Sequence, residues 1–300
     1  MRADSAVQRK IPAGPRAVID VLRPAVQTAP LVFCSPHSGN DYPAEFVSAS
    51  RLDPLTLRRS EDSFIDEIFA AAPRLGAPLL KALFPRAFCD PNREPWELDQ
   101  GMFNEPLPDF TNTSSARVAG GLGTIARVVA NGAEIYRHKL TWPEAKARID
   151  EHWRPYHAAL GALVDETVTA FGGAIVIDCH SMPSVGGPMD RDPGHRRPDI
   201  VLGNRHGLAC AAKLIDTAAA VLSARGFLVS LNNPYAGAYT TQQYGKPDRG
   251  LHAMQIEINR ALYMDEARIE RRAGIERMTE TMTELVAVLA TLDPATFPAR

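Results

Sequence analysis

The chain has 300 residues, 45% hydrophobic and 23% charged, a balance that excludes a disordered chain, a collagen or a coiled-coil rod. With 33 Lys+Arg against 35 Asp+Glu the formal charge is −2, so bulk electrostatics offer nothing to a polyanion and no nucleic-acid partner is expected. No apolar run approaches the ~20 residues of a membrane span, and the four cysteines (Cys34, Cys89, Cys179, Cys210) lack CxxC spacing, so they read as reduced thiols of a cytoplasmic protein without a membrane partner.

Residues 1–17 read as a loosely ordered leader with no apolar signal core. LVFCSPHSG (31–39) begins as an apolar strand and breaks at Pro36 and Gly39. The spacing of Phe64, Ile68 and Ala71 or Ala72 predicts an amphipathic helix over 54–76, ended by Gly76. Strand material over 78–90 runs into DPNREP (90–95). A stretch rich in Asn, Pro, Gly, Ser and Thr then predicts a long loop to about 124, a length usually kept for function. A helix over 143–171 has Pro143 in its first turn, a kink at Pro155 and an end at Gly172. GAIVIDCHS (173–181) has the pattern of a buried parallel strand, and DIVLGN (199–204) of a second. A helix over 207–226, strands over 227–235 and 252–260 and an amphipathic helix over 265–291 complete the chain. Strand–helix alternation predicts one α/β domain over 1–300, its largely parallel or mixed sheet covered by helices on both faces.

In such a sheet ligands bind beyond the carboxyl ends of the strands. Four predicted strands end in reactive groups: His37, the Asp90–Arg93 segment, Asp178 to Ser181, and Glu257. Two histidines, one carboxylate and a position for water make up a catalytic zinc site. His37 and His180 supply the nitrogens, and Glu61-Asp62 supplies the acid, Asp62 lying 62 − 37 = 25 residues beyond His37. Strand alternation puts Asp178 and His180 on one face and turns Cys179 away. Cys179 is then a poor ligand, and Asp178 a partner for a histidine N–H.

Each residue also has a structural reading. A strand-end histidine often only satisfies hydrogen bonds; Glu257, between Ile256 and Ile258, fits the solvent side of an edge strand; Asn92-Arg93 fits a surface turn; and Asp62 fits a helix N-cap. Three patterns are discounted. Gly121–Ala126 matches GxGxxA but follows no convincing strand. Cys179-His180 places the thiol and the imidazole on opposite faces. Arg271-Arg272 reads as a solvated helix face.

Taken in order, PHSG (36–39), EDSFIDE (61–67), DPNREP (90–95), WRPYH (153–157), DCHSMP (178–183), DR (190–191) with DIVLGN (199–204), NNPYAGAYTTQQYG (232–245) and HAMQIEINRALYM (252–264) resemble the N-formylglutamate amidohydrolase (formylglutamate deformylase) family, over about residues 31–264. The resemblance implies a fold similar to zinc carboxypeptidases and aspartoacylases: three layers, with a mixed, mostly parallel eight-stranded sheet between helices. It implies one Zn2+ per chain on His37, Asp62 and His180, with Glu61 adjacent to Asp62 as an alternative. Carboxypeptidase-like enzymes place their acid three residues after the first histidine. That residue here is Asn40, so the carboxylate comes from further along.

By the same resemblance Glu257 is the general base and Asn92-Arg93 holds a substrate carboxylate. Arg93 also serves as a candidate for oxyanion charge, Arg191 as a second carboxylate contact, and Tyr235, Gly237 and Tyr239 as a cover over the substrate. The implied reaction is release of formate from N-formyl-L-glutamate, or a close small-molecule N-acyl acidic amino acid. The alternatives are a carboxypeptidase or another N-acyl amino-acid deacylase of this fold, a non-catalytic binding relative, and a metal-independent Ser or Cys hydrolase.

Overall fold

A computed structural model describes residues 17–129, 132–188, 190 and 192–297. Sixteen of the seventeen residues read as a leader lie outside this range, as does Arg191.

Seven strands form one sheet: β1 (Ile19–Leu22), β2 (Leu31–Ser35), β3 (Leu79–Ala82), β4 (Ala174–Met182), β5 (Ile200–Gly203), β6 (Val229–Leu231) and β7 (Leu251–Asn259). Their spatial order is β1-β3-β2-β4-β7-β5-β6. The four central strands β3, β2, β4 and β7 run parallel. β1 is antiparallel to β3 and β5 to β7, while β6 follows β5. Among the described residues the sheet has seven strands, where the resemblance implies eight. The remaining strand material, Met264–Asp265 with Glu270–Arg271, pairs with itself in a separate ribbon.

Five helices matter to the argument: α1 (Trp142–Arg148), α2 (Arg154–Phe171), α3 (Ala212–Ala224), α4 (Tyr239–Tyr244) and α5 (Gly274–Leu289). Alternation along the central strands sorts their side chains into two cores. Phe33, Ile175, Ile177, Cys179, Ile256 and Ile258 face one side, with residues of α3 and α5. Val32, Cys34, Val176 and Ala253 face the other, with residues of α1 and α2. All nine β4 residues are buried, as a strand covered on both faces requires.

The expected kink at Pro155 is a π turn, Ile149–Trp153, joining α1 to α2. Proline has no N–H to donate and its ring collides with the carbonyl four residues back, so the wider turn carries the chain past it. Two predicted helices are corrected. The run 54–76 divides into Pro54–Leu57, a 3-10 turn Arg58–Ser60, Ile65–Ile68 and a 3-10 turn Pro73–Leu75, with Phe64 left-handed at φ 69°. It breaks where the Asp62 N–H donates to the His37 carbonyl at 3.0 Å, a bond to another segment that replaces the helical one. The helix expected from 265 starts only at Gly274, because residues 264–271 form the ribbon.

Candidate metal centre and active site

The parallel strands β2, β3, β4 and β7 all point their carboxyl ends at the same edge of the sheet. Just past β2, Gly39 lies so close to the β3 exit that a Cβ there would stand 2.3 Å from the Phe84 carbonyl oxygen. Only glycine lets the His37 segment run against that backbone. On β4 and β7 the register sets His180 beside Glu257 and Asp178 beside Gln255. These four side chains share the parity of Val176 and Ala253, at the strand ends where apolar packing gives way to polar groups.

His37, Asp62 and His180 are all buried, and one ligand atom from each lies within 4.8 Å of the others. The Nδ1 atoms of His37 and His180 stand 3.3 and 3.0 Å from the same oxygen, Asp62 Oδ2. Each ring is fixed from behind. His37 Nε2–H donates to Asp90 Oδ1 at 2.7 Å, and His180 Nε2 stands 2.9 Å from Asp178 Oδ1. These contacts fix both ring orientations and turn the two Nδ1 atoms to the common point, as carboxylate partners do for metal-ligating histidines. Asp62 Oδ1 in turn accepts from Arg260 Nη2 at 2.9 Å and Ser181 Oγ at 3.3 Å. Glu61, the adjacent acid, turns to Arg58 at 2.9 and 3.0 Å and to Ser63. Of the two acids it is therefore Asp62 that meets both imidazoles. Two nitrogens and one oxygen, buried and backed by further carboxylates, fit a divalent cation such as Zn2+.

The electrostatics follow from burial competing with charge. Burial raises the Asp62 carboxyl, but hydrogen bonds from His180 and His37 and the Arg260 charge outweigh it and hold it well below the usual range. Burial likewise opposes ionisation of Asp90, and Arg86, His37 and Arg93 outweigh it. Glu257 differs. Burial pushes it up to about 7, with Asp62 and Asp178 adding to the rise and His180 and Arg86 opposing it. Its Oε1 accepts from Gln255 Nε2 at 2.7 Å. β7 is an interior strand and Glu257 is buried, so the edge-strand reading does not hold.

A cavity of about 1150 Å³ opens over these groups, lined among others by His37, Arg93, His180, Glu257, Tyr235 and Gly237. Arg93 is buried in its wall; Nε donates to the Leu122 carbonyl and Nη1 to that of Asn92, both at 2.8 Å. Asn92 also lines the cavity, yet its amide is committed elsewhere. Oδ1 accepts from the Thr240 N–H at 2.8 Å and Nδ2 donates to Asp178 at 3.0 Å, so a substrate contact has to displace one of these bonds. Tyr239 borders this region from the helix side. It opens α4 and packs its ring on Trp153 and His157, at 5.7 and 5.2 Å between centroids, and it is Tyr235 that faces the cavity. Arg191 lies outside the described residues. The GxGxxA segment is a cavity wall, where Gly123 is forced by the Glu97 carbonyl, 2.2 Å from where a Cβ would sit.

Several contributors carry no clear sequence signal. Arg86 donates to Asp90 Oδ2 at 2.8 Å, and Arg260 reaches Asp62 across 198 residues. His157 donates Nε2–H to the Pro91 carbonyl at 2.7 Å and pins the segment carrying Asp90 and Asn92 to α2. The nearest clue was position: Arg260 stands just past the end of β7, and His157 within WRPYH.

The N-formylglutamate amidohydrolase profile matches residues 29–264. The chain is 30% identical over 260 residues to an N-formylglutamate deformylase of Pseudomonas aeruginosa PAO1, covering 84% of this chain and 89% of that one. It is 27% identical over 240 residues to that of Pseudomonas putida, with coverage of 79% and 82%. The crystal structure of N-formylglutamate amidohydrolase from Ralstonia eutropha JMP134 superposes with a TM-score of 0.83 at 34% identity, covering 92% of this chain and 98% of that one. An Agrobacterium tumefaciens gene product, at TM-score 0.62 and 19% identity over 90% and 93% of the chains, shares the fold. A profile that spans all the parallel strand ends, together with relatives matched along nearly their whole length, gives the assignment: this chain belongs to the N-formylglutamate amidohydrolase family.

Proposed function

We propose that the protein is a zinc-dependent hydrolase that releases formate from N-formyl-L-glutamate or a close N-acyl acidic amino acid. The observation that carries this reading is the pair of Nδ1 atoms aimed at one Asp62 oxygen, each imidazole backed by its own carboxylate, beside Glu257. His37, Asp62 and His180 would hold the zinc, which when bound supplies Lewis acidity at the formyl carbonyl and lowers the pKa of a water.

The chain's own groups divide the remaining work. Glu257, with Oε1 held by Gln255, accepts the proton of the attacking water and returns it to the departing amine; a carboxyl poised near neutrality suits both directions. Arg86, anchored on Asp90, brings positive charge to the wall facing that chemistry for a developing oxyanion, and Arg93 brings it for the oxyanion or a substrate carboxylate. No helix among the described residues is long and apolar enough to cross a membrane. A cytoplasmic setting belongs to the same reading, supported by Cys34, Cys89 and Cys179, free thiols buried in the fold.

The test is metal analysis of the purified protein combined with formate release from N-formylglutamate. One zinc per chain and formate release lost to a chelator and regained with zinc are expected. Full activity in metal-free protein would overturn the reading.

A further inference from the structure

An acidic N-acyl amino acid carries two carboxylates, and a guanidinium already paired with a protein acid is a poor host for either. Most arginines of the cavity are so paired: Arg58 with Glu61, Arg86 with Asp90, Arg197 with Asp190 and Asp192, and Arg260 with Asp62, at 2.7–2.9 Å. Arg93 and Arg117 are different. Their nearest recorded carboxylate oxygens, on Asp90 and Glu97, are 3.9 Å away, beyond hydrogen-bond reach. One residue spaces the two. The Leu122 carbonyl takes the Arg93 Nε–H, and the Leu122 N–H donates to the Arg117 carbonyl, each at 2.8 Å. Burial pushes Arg93 down to about 10, opposed by the Asp90 charge and helped by repulsion from Arg117 and Arg86. An anion received between Arg93 and Arg117 relieves that repulsion.

Depth distinguishes their roles. The Arg93 side chain is 11% exposed and sits by Asp90, the acid that holds His37, whereas that of Arg117 is 37% exposed. The α-carboxylate is attached to the carbon that bears the scissile amide, and the side-chain carboxylate lies further from the reacting bond. The geometry points to Arg117 as a specificity-determining residue that receives the substrate's side-chain carboxylate, while Arg93 receives the α-carboxylate. This inference rests on the functional reading above and assigns its acidic selectivity to one residue.

The experiment compares kcat/KM for N-formylglutamate and N-formylglutamine in the zinc-loaded wild type and in Arg117→Gln, Arg117→Lys and Arg59→Gln. Arg59 lines the same cavity, is exposed, and serves as the control for a diffuse charge effect. Removal of one charge-assisted contact predicts a loss of about ten- to a hundredfold on N-formylglutamate in Arg117→Gln, mainly through KM. N-formylglutamine turnover stays within about twofold, which also reports that the variant is folded, and Arg117→Lys regains most of the loss. An unchanged glutamate-to-glutamine ratio in Arg117→Gln, or the same collapse in Arg59→Gln, overturns the assignment. So does a wild type that does not distinguish the two substrates. A zinc-loaded wild type that releases formate from neither is a different result: it overturns the functional reading, and this assignment with it.

Discussion

Glu257, near the end of β7, and Asp62, between the turn Arg58–Ser60 and the helix Ile65–Ile68, are both buried carboxylates, and their surroundings drive them in opposite directions. Asp62 has Arg260, Ser181 and two imidazoles to hold its charge; Glu257 has one amide donor and two acids nearby. Environments that separate two carboxyls in this way mark a division of roles, which the proposed function assigns as ligand and proton carrier. Glu257→Gln keeps the shape and removes the carrier. The expected outcome is full metal content, measured by atomic absorption, with kcat lowered about 10²- to 10⁴-fold. Unchanged kcat would exclude Glu257 as the base.

At the scale of elements, the β2 exit depends on a backbone approach that a side chain cannot enter. Gly39→Ala forces its Cβ into the Phe84 carbonyl, so the strand exit has to shift. A loss of about 1–3 kcal/mol is expected in urea unfolding, and weaker metal retention with it, because His37 rides on that exit. Unaltered stability would show that the exit tolerates displacement. The same element view explains what the sequence disclosed. His37, His180 and Glu257 were legible because each closes an apolar run whose alternation fixes the face it presents. Asp62 was legible as a residue but not in its setting: its segment has helical periodicity, and only a bond to the distant His37 carbonyl breaks the helix. The setting of Tyr239 was not legible, because its ring packs on Trp153 and His157, contacts no local pattern encodes. Arg86 and Arg260 were invisible because an arginine's role is set by the acid it meets in space. β1, four half-buried residues on the sheet edge, has too little pattern to read.

For the molecule as a whole, buried neutral histidines tie stability to pH. Burial pushes His157 and His252 down to about 4. Unfolded histidine titrates near 6.5. Above that pH neither state binds the proton and stability is complete. As pH falls from 6.5 to 4 the unfolded chain takes up protons that the folded chain refuses, so stability drops by up to about 1.4 kcal/mol per pH unit for each group. Below 4 these groups add no further loss. His157→Gln can keep the donor to the Pro91 carbonyl while removing one titration, so its urea midpoints between pH 6.5 and 4.5 should decline less steeply than those of the wild type. Parallel declines would mean that His157 is not part of the effect.

The layout of the cavity has an evolutionary corollary. His180 and Glu257 are mounted near β-strand termini, where inserting or deleting one residue would rotate every downstream side chain to the wrong side. The guanidiniums of Arg93 and Arg117, by contrast, belong to the 91–124 stretch outside the sheet, where lengthening, shortening or rewriting leaves the strand registers untouched. On the proposed reading, a lineage built on this plan would trade one acylated amino acid for another by editing a single excursion of the chain, with the reaction kept.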